Sequence, residues 1–204
     1  MSTFNNKVRP DLQTICEWIK PQSRILDLGC GDGTLLAMLK EERDVNGYGL
    51  EIEISNIVKC VNAKVNVIQA DLNAGLSDFD DNTFSYVVMT QALQAVERPD
   101  RLLNEMLRIG SEGIVTFPNF GHFRSRLQLF FGGHMPVTKT LPSKWFNTQN
   151  IHLCTLQDFE NLCADNGIAV LQRAVVDRNH RSGFLMNLFP NLFGEIAIYR
   201  IQRK

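Results

Sequence analysis

Hydrophobic and polar positions alternate along this chain in two rhythms. Short, mainly apolar runs of five or six residues occur at 24–28, 48–52, 65–70, 84–89 and 113–117. Between them come stretches with apolar residues three or four apart. Leu35, Leu36, Met38 and Leu39 form one, within 34–42, and a short run at 55–61 forms another. The first rhythm predicts buried strands and the second predicts amphipathic helices. Pro99 suits a first helical turn. Leu102, Leu103, Met106 and Leu107 continue from it, and Gly110 reads as the stop. Further on, Thr155 and Asp158 have the spacing of a capping box, with Asp in place of the usual Glu. The helix they open carries Phe159, Leu162 and Cys163 and ends near Gly167. Runs at 169–176 and 195–201 predict two last strands.

Strands that alternate with helices predict a largely parallel sheet covered on both faces. Right-handed crossovers then make a three-layer, doubly wound α/β fold with a mostly parallel seven-stranded sheet. The last two strands lack a helical connection, which predicts an antiparallel C-terminal strand. At 204 residues the chain is expected to form a single domain over 1–204, since about 100–200 residues per domain is usual.

Composition narrows the function classes. The net charge is -1, so there is no bulk electrostatic argument for nucleic acid. The start, MSTFNNKVRP, has no apolar core of a signal peptide, and no apolar run reaches the length of about 18 residues that predicts a membrane span. The five cysteines are scattered without C-x-x-C spacing, so neither a disulfide framework nor a metal site is signalled. A reducing cytoplasm is the expected location. The charge is unevenly spread: residues 1–112 carry 11 Lys+Arg against 17 Asp+Glu, whereas 113–157 carry 4 against none.

The strongest local motif is Asp27-Leu28-Gly29-Cys30-Gly31-Asp32-Gly33, directly after the first predicted strand. Such a turn lies at the ligand-binding edge of a doubly wound sheet. Two ligand classes use it. Dinucleotide enzymes have G-x-G-x-x-G and seat a pyrophosphate on the helix N-terminus. Here the spacing is G-x-G-x-G, Thr34 stands where the third glycine would be, and Asp27 would repel a pyrophosphate. A carboxylate suits instead a ligand bearing an ammonium group, such as S-adenosylmethionine (SAM). Asp32 is readable as a first-turn acid favoured by the helix dipole.

The motif resembles motif I of the class I SAM-dependent methyltransferases, a Rossmann-like superfamily. Glu51, Asp71 and Gln91 stand at the ends of the second, third and fourth strands, where that superfamily has its remaining ligand contacts. The resemblance implies a SAM or S-adenosylhomocysteine (SAH) site made by Asp27, Gly29, Cys30, Gly31, Glu51, Ile52, Ala70, Asp71, Leu72 and Gln91. In it Glu51 accepts both ribose hydroxyls, Asp71 accepts the adenine amino group, Gln91 lies beside the sulfonium, and the Cys30 amide faces the ligand. Each acid by itself could equally be a solvated strand end.

More narrowly, residues 8–203 resemble the MetW family of methionine-biosynthesis proteins. The segments that carry this are 25–36 (ILDLGCGDGTLL), 65–72 (VNVIQADL), 86–95 (YVVMTQALQA), 115–126 (VTFPNFGHFRSR), 135–142 (MPVTKTLP), 150–155 (NIHLCT) and 190–195 (PNLFGE). The resemblance implies a cytoplasmic partner that activates or regulates homoserine O-acyltransferase, with no methyl acceptor attached. The alternative is a SAM-dependent methyltransferase for a small molecule. His122 is then a candidate base, with a structural His in a turn as the other reading. No catalytic residue is otherwise assigned. Thr90-Gln91-Ala92-Leu93 lacks the Asn/Asp-Pro-Pro-aromatic run of enzymes that methylate exocyclic or amide nitrogens.

The acid-free stretch 113–157 holds Arg124, Arg126, Lys139 and Lys144 with seven aromatic rings of Phe and Trp. A helix is expected at 123–131. The stretch has three readings: a folded lid, a docking surface for an acidic partner face, or a pocket for an anionic acceptor. The resemblance favours the second. Residues 184–193 (FLMNLFPNLF) either cap a sheet edge or form an exposed patch; Pro190 forbids one continuous helix.

Overall fold

The runs at 25–28, 86–89 and 113–117 are buried on both faces, which calls for a layer of helices on each side. A computed structural model describes residues 10–177 and 183–204. The start of the chain, read above for a signal peptide, lies outside them except for Pro10. Strands β1 (Arg24–Leu28), β2 (Asn46–Glu51), β3 (Asn66–Gln69), β4 (Phe84–Thr90), β5 (Gly110–Pro118), β6 (Ile168–Val176) and β7 (Ile196–Arg203) form one sheet in the order β3-β2-β1-β4-β5-β7-β6. β7 pairs antiparallel with both β5 and β6, and the other pairings are parallel.

Alternation along the strands divides the core. Ile25, Tyr86, Val88, Ile114 and Ile198 face one side. There they meet α1 (Pro10–Trp18), α2 (Thr34–Arg43) and α3 (Ile54–Asn62) through Leu12, Ile15, Leu35, Leu36, Leu39 and Cys60. Leu26, Leu28, Val87, Met89, Val115, Phe117 and Tyr199 face the other side. They pack on α4 (Pro99–Ile109) and α6 (Leu156–Asp165) through Leu103, Met106, Phe159 and Cys163. No helix of the described residues is long and apolar enough to cross a membrane.

The expected architecture holds, with shifts at the element ends. β2 begins two residues earlier than the pattern indicated, and β5 starts at Gly110, the residue that also ends α4. Helix α5 (Phe123–Gly132) lies where the pattern put it. The Thr155–Asp158 capping box forms with both reciprocal bonds. Residues 184–193 become two short helices, α7 (Phe184–Leu188) and α8 (Pro190–Phe193), broken at the proline. Helix α1 was not anticipated. Its signal was present in Leu12, Ile15, Cys16 and Ile19, all buried at helical spacing behind Pro10.

Strand order reverses between β1 and β4, because the chain winds outward through β2 and β3 and then returns. That switch point is where an open α/β sheet leaves a crevice at its carboxyl ends.

Candidate functional site

The glycine loop closes the crevice between β1 and α2. Gly29, Gly31 and Gly33 all have positive φ. At Gly29 (φ +70°) a Cβ would stand 3.2 Å from Ala92 Cβ; at Gly33 (φ +78°) it would stand 3.0 Å from Cys60 Sγ. Both backbone shape and space therefore require glycine there. A cavity of about 410 Å³ opens on the loop, lined by Gly29, Cys30, Gly31, Asp32, Leu12 and Thr90 among others.

The loop's N–H groups are directed inward. Gly29 and Cys30 both donate to the Leu50 carbonyl, at 2.9 and 3.0 Å. Gly31 donates to Glu51 Oε2 at 2.8 Å, and Gly33 to the Cys30 carbonyl at 3.0 Å. Thr34 N and Oγ1 both donate to Asp32 Oδ1, which braces the turn into α2 ahead of its N-cap, Gly33. The Thr34 bonds, with Lys59 nearby, hold the Asp32 carboxyl below its ordinary range despite partial burial. The Cys30 N–H, expected to face a ligand, donates to the Leu50 carbonyl, while Cys30 itself lines the cavity. The Cys30 thiol is buried 3.8 Å from Cys60 Sγ. Burial first, then the Asp27 carboxylate, raise its pKa far above the ordinary thiol value.

Two carboxylates are buried at the strand ends: Asp27 is 1% exposed and Glu51 7%. Glu51 Oε1 accepts from Ile52 N and Glu53 N, both at 2.9 Å, while Oε2 accepts from Gly31 N. A carboxylate offers about four acceptor positions, so the backbone takes three. One position, on Oε2, is left for a further donor. At the end of β3, Asp71 Oδ1 accepts from Asn73 N and caps a short 3₁₀ turn, Leu72–Ala74. Leu72 and Ala70 pack against the core beside it, and Ile52 is 55% exposed after Glu51.

Gln91 sits at φ +57°, a left-handed conformation for a non-glycine residue. Its N–H donates to Thr116 O and Oγ1, and its side-chain Nε2 reaches Asp11 Oδ2 of α1 at 3.5 Å. Such strain persists where surrounding structure enforces it, often at binding sites. Replacing Gln91 by Gly should stabilise the fold by about 1 kcal/mol, read as a higher Tm.

His122 takes the structural role. It is the N-cap of α5, with Nδ1 accepting from Arg124 N at 3.4 Å and its ring tilted on Phe123 at 4.6 Å. Burial, with Arg124 adding, outweighs the opposing pull of Glu195 and lowers its pKa. The unfolded chain then binds a proton that the folded chain refuses, so stability falls as pH drops below the ordinary value of about 6.5. His122→Asn should keep the cap and remove that part of the pH dependence. Urea midpoints at pH 7.5 and 5.5 should lie closer together in the variant than in the native chain.

The acid-free stretch divides in two. Phe117 is buried, but Phe130, Phe131, Trp145 and Phe146 are 65–81% exposed. They stand as two edge-to-face pairs, with ring centroids 4.9 and 5.8 Å apart. Exposed Arg124 and Lys144 approach Phe123 and Phe146 as cation–π neighbours. Arg126 Nε donates to the Gly121 carbonyl at 2.6 Å and braces the loop before α5. On α7, Phe184, Leu185 and Leu188 are exposed, while Met186 packs on the core that contains Val175 of the edge strand β6, so residues 184–193 cap that edge and also leave an apolar patch outside.

The profile of the family described as methionine biosynthesis protein MetW matches residues 9–201. The chain belongs to the MetW family. A relative of this MetW chain, the bifunctional methionine biosynthesis protein MetXA/MetW of Rhodopirellula baltica, is 32% identical over 203 residues. The match covers 95% of the present chain but only a third (33%) of that relative's length. Among solved structures, an S-adenosylmethionine-dependent methyltransferase of Mesorhizobium loti has a TM-score of 0.68 at 15% identity, covering 95% of this chain and 98% of that one. A phosphoethanolamine N-methyltransferase 2 of Haemonchus contortus, in complex with phosphomonomethylethanolamine and S-adenosylhomocysteine, also scores 0.68, at 13% identity. It is matched over 95% of this chain and 52% of its own. At these identities the structures show that MetW shares the class I methyltransferase fold.

Proposed function

We propose that this MetW chain binds SAM or SAH at the glycine loop and acts as a partner that activates or regulates homoserine O-acyltransferase. The observation that carries the ligand half is the inward hydrogen bonding of the loop. A pyrophosphate site needs free N–H groups, and here Gly29, Cys30, Gly31 and Gly33 have given theirs to internal acceptors. Buried carboxylates, Asp27 and Glu51, line the strand ends instead. That chemistry favours a cationic nucleoside with hydroxyl groups. Asp27 would face the ammonium group, Gly29 would let the chain approach closely, Glu51 would accept one ribose hydroxyl, and Asp71 with Ala70, Ile52 and Leu72 would flank the adenine. Gln91 would bound the sulfonium side. When bound, SAM carries a methyl group on a cationic sulfur.

The partner half is supported by a relative that combines MetXA and MetW in one protein and by the exposed aromatic, acid-free surface after β5. Aromatic residues and Arg are what interface centres favour. SAM is a downstream product of methionine, so a ligand that binds free and partnered MetW with different affinity would give feedback. In the methyltransferase reading His122 is a weaker candidate base, because its Nδ1 already accepts from Arg124 N at the start of α5.

Calorimetry with SAH, NAD and ADP tests the ligand half. Binding of SAH with no binding of NAD is expected; NAD binding without SAH binding would overturn it. Co-elution with the same organism's acyltransferase tests the partner half separately.

A further inference from the structure

Helix α3 and the edge strand β3 carry an apolar margin that the proposed function leaves unused. Ile54, Val58 and Val61 recur at helical spacing and are 66%, 53% and 62% exposed. The two flanks of α3 differ. Asn56 and Lys59 line the cavity beside the glycine loop, while Cys60 points into the core. Helical geometry puts Ile54, Val58 and Val61 on the flank opposite Asn56 and Lys59. That flank points away from α2, over β3, which has a neighbour on one side only. Natural edge strands are guarded by charges or proline. β3 reads Asn-Val-Ile-Gln, without either, and Ile68, on the sheet face opposite α3, is 45% exposed at that edge.

We propose that this margin is the interface between two copies of the chain, joined edge to edge about a two-fold axis near Val58. A two-fold contact must be self-complementary, and the charges at the two ends of α3 are. Exposed Glu53 precedes the helix and exposed Lys64 follows it. Antiparallel pairing of two α3 helices sets Glu53 of one copy against Lys64 of the other at both ends. The same approach brings the open edges of the two β3 strands together. The aliphatic side chains supply the apolar centre, and the charged ends and strand edge extend it toward the roughly 800 Å² per partner of a stable interface. The inference depends on neither the ligand nor the acyltransferase.

Sedimentation equilibrium on the full chain, without partner, tests it. The native chain should be dimeric at concentrations on the order of 0.1 mM. Val58→Asp buries a charge twice at the two-fold axis. It should raise the dissociation constant by about a hundredfold or more while Tm stays within a few degrees. Glu53→Lys and Lys64→Glu should each weaken the dimer by roughly tenfold, and the double exchange should restore it. A monomeric native chain would overturn the inference. So would a dimer that survives Val58→Asp, or a double exchange no better than its parents.

Discussion

Glu51→Ala should lower SAH affinity by tenfold or more and soften the glycine loop in the same step. The ligand loses a charge-assisted hydrogen bond, worth about 1.5–3 kcal/mol. The protein loses more, since three backbone N–H groups, of Gly31, Ile52 and Glu53, give up their acceptor. Glu51 thus joins the end of β2, the start of α3 and the tip of the loop. The two losses separate in Glu51→Gln. One amide oxygen can still accept from Ile52 and Glu53, but the amide nitrogen cannot accept from Gly31. Glu51→Gln should therefore keep most of the stability and still lose affinity. Calorimetry with SAH and a thermal melt on each variant read the two effects. Unchanged affinity in a folded Glu51→Ala chain would move the nucleoside away from β2.

Phe130→Ser with Trp145→Ser should weaken acyltransferase binding by roughly several hundredfold while leaving SAH affinity and Tm unchanged. Central aromatic anchors are each worth about 2 kcal/mol or more at an interface. Phe130 is 81% exposed and Trp145 is 75% exposed, so neither holds the fold together. Both lie in a stretch without acids, where a partner of the same sign is disfavoured. Competition binding with the purified acyltransferase reads the effect. Native affinity in the double variant would move the contact to α7 or elsewhere.

What the sequence made legible was local. The G-x-G-x-G spacing, the acids at 27, 51 and 71, the capping box at Thr155 and the break at Pro190 are short-range patterns tied to backbone geometry, and each lies where the pattern put it. Uses of a group that depend on distant chain were not legible. The Cys30 amide pairs with Leu50, twenty residues on, so a loop that looks open in sequence is closed by β2. Glu51 gives three of its acceptor positions to the backbone because β2 ends level with the loop. Gln91 takes a left-handed conformation because Thr116, on the neighbouring strand β5, holds its N–H. Helix α1 has regular apolar spacing at Leu12, Ile15, Cys16 and Ile19 but no strand or motif beside it to mark it in the sequence. It contributes Leu12 to the cavity and Asp11 beside Gln91, so the site has a wall that the motifs alone do not contain. The α3 flank went unnoticed for another reason. Its apolar period is that of any core-facing helix, and only the fold tells which side faces outward.

The most direct test of the account is the rate of homoserine acylation by the same organism's acyltransferase, with and without this chain, each in the absence and presence of SAM. A clear rise on adding the chain, changed again by SAM, is the predicted result. Equal rates in all four conditions, with both proteins folded, would contradict it.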